Sequence, residues 1–359
     1  MKRCGRIGQS GPPSFFALHR HGGNDTQSVC LRTSIHQKDM TQMANRVPPP
    51  VIDAHVDLLY DLLRHHPETA LADLPDAWVS LPKMEQGGVR VIVSAFYCED
   101  AHNGLVKAAD NLRFLLEYSE KNLGEFKTIR TVEELECCYH DTGNPGALLL
   151  LENADALLEF PPETLKRKGF RVVGLTHVGK NRLGDGNAVA DPGGLTPQGR
   201  DLVRELDRLG FAIDMAHLSV PCFSEVADIF SGPILSSHTG LRQFCDTPRN
   251  LSDEQIRIIL SRGGVVGLAA FPGMLSASGK ADISDVFRQI DWMVQKFGHQ
   301  GIAIGSDFGG YDSVCEGFED HSRLPVLVEM LSEAGYPDTV IEGILGGNWF
   351  RFFSGLLAG

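Results

Sequence analysis

The sequence predicts an α/β protein, a (β/α)8 TIM barrel. Three observations carry that expectation. After residue 50, eight short apolar runs alternate with longer stretches of helical periodicity. The runs are near-continuous in Val, Ile, Leu and Ala, the composition of parallel strands buried on both faces. Six of them end in an ionisable residue, and barrel enzymes build their sites at the C-terminal ends of the strands.

In chain order the runs are 51–55, 89–96, 147–152, 172–177, 211–217, 233–238, 265–270 and 301–307. Helices are expected between them. Segment 105–121 has Leu105, Val106, Ala109, Leu112, Leu115 and Leu116 at helical spacing. Segment 196–209 opens on Thr196-Pro197, an N-cap followed by proline at the first helical position, and stops before Gly210. Segment 252–261 opens on Ser252, with Asp253 and Glu254 in a first turn where acids complement the helix dipole. Eight strand–helix units in about 300 residues fit a barrel better than a doubly wound sheet. No Gly-rich phosphate fingerprint follows the first run.

The bulk properties narrow the function. A chain of 359 residues, 42% hydrophobic and 22% charged, reads as an ordinary globular protein with one large core. Its net charge of -13 argues against a nucleic-acid partner, which needs a basic patch. No apolar run approaches the roughly 20 residues of a membrane span, so no membrane partner is expected. The eight cysteines form no CxxC and no metal-type spacing. They read as free thiols in a reducing compartment, and a cytoplasmic location is expected. Residues 1–49 carry seven Lys/Arg against two acids and no apolar core of a signal peptide. They are expected to be a disordered extension, with Met40 or Met43 as alternative starts, ahead of a barrel domain at 50–359.

The six strand-end residues are His55, Glu152, His177, His217, His238 and Asp307. A single strand-end histidine is more often a satisfied, partly buried residue than a ligand. Six ionisable groups at one level point to metal chemistry. His55 and Asp57 stand at i and i+2, on one side of an extended segment. An imidazole nitrogen and a carboxylate oxygen can there reach one cation at about 2.0–2.2 Å. His217 and His238 could supply nitrogens to a second metal, with Glu152 bridging, one oxygen to each. Two metals about 3.5–4 Å apart can bind a hydroxide and polarise a carbonyl together. Nitrogen and oxygen ligands suit zinc, and manganese or cobalt could occupy the same set. Asp307, ahead of Phe308-Gly309-Gly310, is read as a proton carrier near the metal-bound water.

Seven motifs in order carry a family resemblance. They are Ile52-Asp53-Ala54-His55-Val56-Asp57, then Leu175-Thr176-His177 with Asn181, and Ile213-Asp214-Met215-Ala216-His217-Leu218-Ser219. Ser236-Ser237-His238-Thr239, Pro248-Arg249-Asn250-Leu251 with Asp253, Gly305-Ser306-Asp307-Phe308 and Gly346-Gly347-Asn348-Trp349-Phe350-Arg351 complete the set. Over roughly residues 50–353 the chain resembles the renal (membrane) dipeptidase family, peptidase family M19, of the amidohydrolase superfamily. The resemblance implies two Zn2+ per chain, one held by His55, Asp57 and Glu152 and the other by Glu152, His217 and His238. It implies that His177 contacts the scissile carbonyl or oxyanion and that Arg249 binds the substrate carboxylate. A planar guanidinium suits that task because it can pair a carboxylate bidentately. Asp307 would move the water's proton to the leaving amine and also hold the substrate's amino group.

The expected substrate is a dipeptide, and a homodimer is a family-level expectation. Two segments depart from the family pattern. Asn153-Ala154-Asp155 follows Glu152 where members often have small glycines, and Gly309 stands where many carry a second aspartate. The alternatives are another C–N hydrolase acting on N-acyl amino acids or related carboxylate-bearing amides, and a non-catalytic metal-bound binding protein. Many binuclear relatives with those other chemistries bridge their metals with a carboxylated lysine, whereas here the third run ends in Glu152 and holds no lysine.

Overall fold

The computed structural model describes residues 49–141 and 143–359. The extension expected at 1–49 lies outside them but for its last residue.

Eight parallel strands follow one another in chain order around one sheet, β1 Val51–Val56, β2 Val89–Tyr97, β3 Gly146–Glu152, β4 Phe170–Gly174, β5 Ala212–Asp214, β6 Ile234–Thr239, β7 Val266–Leu268 and β8 Ile302–Ile304, and the short strand Lys127–Thr128 pairs off this path with β3. The sheet curls into a nearly closed barrel. Its seam runs between β1 and the segment just after β8, through the parallel bridge Val56–Phe308. Two backbone hydrogen bonds hold that seam: Asp57 N–H to Phe308 O at 2.9 Å and Asp307 N–H to His55 O at 3.0 Å.

Alternation along the strands divides the apolar residues. In β3, Leu148 and Leu150 face the barrel interior, while Ala147, Leu149 and Leu151 pack toward the outer helices. The interior cluster also holds Ile52, Ala54, Val91, Val93, Ala95, Val172, Ala212, Leu235 and Ala303. Trp349 and Phe353 of the C-terminal helix Asn348–Ala358 join the same cluster. Trp349 Nε1–H donates to Ile304 O at 2.8 Å, and Asn348 Nδ2 donates to His299 O and Ile302 O, each at 2.7 Å. The Gly346–Arg351 motif therefore ties the last helix to the last strand.

The expected helix at 196–209 is Pro197–Leu209, with Thr196 Oγ1 accepting from Gly199 N and Gly210 left-handed at φ 70°. The one at 252–261 is Asp253–Ser261, closed by a reciprocal capping box between Ser252 and Gln255. The one at 105–121 is Lys107–Asn122. It starts two residues late because Val106 takes φ 70°, outside helical space. Among the described residues no helix is long and apolar enough to cross a membrane, and six cysteines are free.

Candidate metal centre

Period-two alternation aims the first residues of the site. Leu148 and Leu150 face the barrel axis, so Glu152 at the end of β3 continues the same face into the mouth. In β1 the interior face belongs to Ile52 and Ala54. The pairing register then shifts between Asp53 and Val56. An irregularity of this kind re-aims side chains, and His55 and Asp57 take over the inward direction.

Not every expected strand-end residue ends a strand. β4, β5 and β8 stop three residues early, at Gly174, Asp214 and Ile304. His177, His217 and Asp307 sit in the turns that follow. The regular ladder has ended there, and the backbone leaves extended geometry while keeping single hydrogen bonds to its neighbours, such as Asp307 N–H to His55 O. His217 has φ 63°, Asp307 φ 65°, and Asn153, directly after Glu152, φ 67°. Asn, Asp and His tolerate left-handed backbone best among non-glycine residues, and such strain gathers at functional sites.

All six strand-end residues and Asp57 converge. Ligand-type atoms of His55, Asp57 and Glu152 lie within 4.8 Å of one another, as do those of Glu152, His177 and His217, and those of His55, His238 and Asp307. Glu152 stands between two imidazole groups. Its Oε2 is 3.6 Å from His55 Nε2, while its Oε1 is 3.0 Å from His217 Nε2 and 3.9 Å from His238 Nε2. Asp57 Oδ2 is 3.4 Å from His55 Nε2. His55 Nε2 and Asp57 Oδ1 are buried without a hydrogen-bond partner. His217 Nε2 and His238 Nε2 face each other at 2.9 Å. A buried polar atom left unpaired is costly, and these orphaned donor atoms all point into one small space. The donor set fits bound cations.

The electrostatics agree. Burial pushes the Glu152 carboxyl up, but His55 and His217 outweigh it and hold the group well below its usual range. Burial pulls His55 down, yet Glu152 and Asp57 win and raise it well above the ordinary histidine value. His217 and His238 go the other way. Burial lowers both, and Arg249 adds to it. Asp307 is raised well above a normal carboxyl by burial and by Asp57 beside it.

His177 and Arg249 flank this cluster. The His177 and His217 rings are 4.5 Å apart between centroids. Arg249 Nη2 donates to His238 O at 3.1 Å and lies 3.3 Å from His217 Nε2, while its Nε is buried with no partner.

The sequence reading assigned no role to four further neighbours. Tyr97 Oη and Asp100 Oδ2 each lie 3.3 Å from His177 Nδ1. Ser237 Oγ touches both His55 Nδ1 and His238 Nδ1, and Asp214 accepts from Ser237. Parity along β2 could have found Tyr97, which shares the face of Val91, Val93 and Ala95. Asp100 lies in a short turn after that strand, where no periodicity speaks.

Comparison with known proteins places this geometry. The profile of the membrane dipeptidase family, peptidase family M19, matches residues 41–356. The dipeptidase verJ of Clonostachys rogersoniana is 26% identical over 326 residues, covering 84% of this chain and 83% of that protein. Dipeptidase 3 of Mus musculus is 32% identical over 160 residues, covering 45% of this chain and 32% of that protein. A metallopeptidase from Rhodobacter sphaeroides, solved with a phosphinate mimic of the dipeptide L-Ala-D-Ala, superposes with a TM-score of 0.75 at 25% identity. That match covers 87% of this chain and 99% of the other. The barrel, the cluster at its mouth and the family match over most of the chain agree: this chain belongs to the membrane dipeptidase family, peptidase family M19, and is a metal-dependent hydrolase of the dipeptidase type.

Proposed function

We propose that the chain hydrolyses dipeptides with two zinc ions, one held by His55, Asp57 and Glu152 and the other by Glu152, His217 and His238. The observation that carries this reading is the stance of Glu152, whose two oxygens face different imidazoles on opposite sides. Three imidazoles and two carboxylates also exceed what one tetrahedral zinc uses. When bound, a zinc pair supplies Lewis acidity toward the peptide carbonyl and a strongly acidified water.

The chain's own residues do the rest. Asp307, buried at the mouth and raised in pKa, takes a proton and returns it to the leaving amine. His177 faces the substrate carbonyl from the His217 side. Arg249, whose buried Nε has no partner, pairs the substrate's free carboxylate. That clamp is the reason for a dipeptide substrate, because a longer chain would carry its carboxylate out of reach.

Metal analysis of gently dialysed protein tests the reading, together with assays on a panel of L,L and L,D dipeptides. Two equivalents of zinc per chain and turnover of free dipeptides are expected. One equivalent or less with full activity would overturn the two-metal arrangement.

A further inference from the structure

Ser237 stands between the two proposed metal sites, and its hydroxyl has three neighbours. Oγ is 2.9 Å from His55 Nδ1, 2.8 Å from His238 Nδ1 and 2.5 Å from Asp214 Oδ2. All four residues are buried. A hydroxyl has one proton and two lone pairs, and a carboxylate has no proton to give. Asp214 Oδ1 already accepts the backbone N–H of Ala216 at 3.0 Å and of Ser237 at 2.9 Å. Its Oδ2 therefore takes the serine's only proton. The two lone pairs of Oγ remain, one toward each imidazole. Each Nδ1 must then carry hydrogen, and a neutral ring protonated at Nδ1 keeps its lone pair on Nε2. Those are the nitrogens that point at Asp57 and Glu152 from His55, and at Glu152 and His217 from His238.

We propose that Asp214 and Ser237 form a positioning pair that sets the tautomer of one histidine in each metal site at once, so that a single hydroxyl presents both Nε2 lone pairs to the cations. This rests on the two-metal reading.

The two members of the pair fail differently. Ser237→Ala removes the acceptor from both imidazoles and weakens both sites. Asp214→Asn is nearly isosteric but reverses the proton. Its amide oxygen keeps the two backbone N–H groups and its NH2 points at the serine oxygen. The serine must then donate to one of the imidazoles. That ring moves its hydrogen to Nε2, where a metal would bind. The serine has one proton, so only one ring flips.

The test is stepwise zinc affinity of metal-stripped protein, read by competition with a chromophoric chelator, alongside imidazole 15N spectra. His55 and His238 signals are assigned by their loss in His55→Gln and His238→Gln. In wild type, Nδ1 of both rings should carry hydrogen, with or without metal. Ser237→Ala should lower both step affinities about 10- to 100-fold, the usual scale for a partner behind a metal ligand. Asp214→Asn should lose one step while keeping the other, with one ring turned to its Nε2–H form. An Nδ1 lone pair on either ring in wild type overturns the proposal without any variant. So do Ser237→Ala affinities within about threefold of wild type, well under that same scale. Uptake of only one metal by wild type would instead remove the two-metal reading, and the tautomer of the neutral His238 ring in the metal-free protein would still decide the role of Ser237.

Discussion

At the scale of single residues, charge and burial separate groups that look alike in sequence. His55, His217 and His238 are all buried histidines, yet burial and Arg249 lower the last two while Glu152 and Asp57 raise the first. Near neutral pH, His217 and His238 are neutral and have no proton for a metal to displace. His55 is protonated and must lose its proton. Zinc affinity should therefore fall as pH drops through the raised His55 pKa, with no added loss from the other two until well below 6.5. Zinc calorimetry at pH 7 in buffers of different ionisation enthalpy should show net proton release, and a release near zero would contradict the placement of Glu152 beside His55. Arg249 and Asp307 separate by substrate. Arg249→Met should lose most kcat/KM on free dipeptides, roughly 2–5 kcal/mol, and much less on the matching dipeptide amides. Equal losses on both would show that Arg249 is not the carboxylate clamp. Asp307→Asn should collapse kcat on both substrate types with both metals retained, because it removes a proton carrier.

At the scale of elements, strand order and helix caps follow from sequence, while strand ends and close approaches do not. Thr196, Gly210 and Ser252 mark helix limits through local chemistry, and the helices stop where those residues say. β4, β5 and β8 end early because the regular ladder with their neighbours ends there, a tertiary condition that a run of Val and Ile cannot report. Glycine shows the same division. A Cβ on Gly305 would lie 1.7 Å from Ser237 O, and one on Gly267 2.0 Å from the same atom. Both glycines let β7 and β8 close on β6 beneath the site. Gly305→Ala should cost at least ~3 kcal/mol in urea unfolding, through displaced backbone. Gly355, exposed in the C-terminal helix with nothing within 4 Å, is the contrast. Gly355→Ala should stabilise by about 0.5–1 kcal/mol. If the two variants unfolded alike, the close approach of β6 and β8 would be wrong.

At the scale of the whole molecule, the candidate ligands come from β1, β3, β5 and β6 or the turns that follow them, and Asp307 from the turn after β8. Binding cations there clamps non-adjacent parts of the barrel and relieves the crowding of Asp57, Glu152 and Asp307. A ligand at about 1,000 times its Kd adds roughly 4 kcal/mol to the folded state. For a domain of this size that is roughly 5–10 °C in Tm. Scanning calorimetry of chelator-treated and zinc-loaded protein should show a gap of that order. No gap would mean that the metals do not bridge the barrel.

The eight apolar runs, the capping residues and the ionisable groups near the strand ends were legible in the sequence because each is a local property. Periodicity and residue type identify a buried parallel strand, and His55-Val56-Asp57, a weak triplet by spacing alone, gains its meaning from its place at the end of the first apolar run. Arg249 did not. Nothing around Pro248-Arg249-Asn250 marks it off from a surface arginine, and only the family resemblance drew it out. Ser237 and Asp214 lie within two of the family-like motifs, where nothing in the sequence gives them a role. Their role depends on one hydroxyl reaching His55, 182 residues away, and Asp214, 23 residues away. The β1 irregularity that turns His55 inward and the left-handed turns at His217 and Asp307 were likewise decided only in three dimensions. A backbone bends where its regular ladder ends, and the neighbours in space that form the ladder are what a linear pattern does not contain.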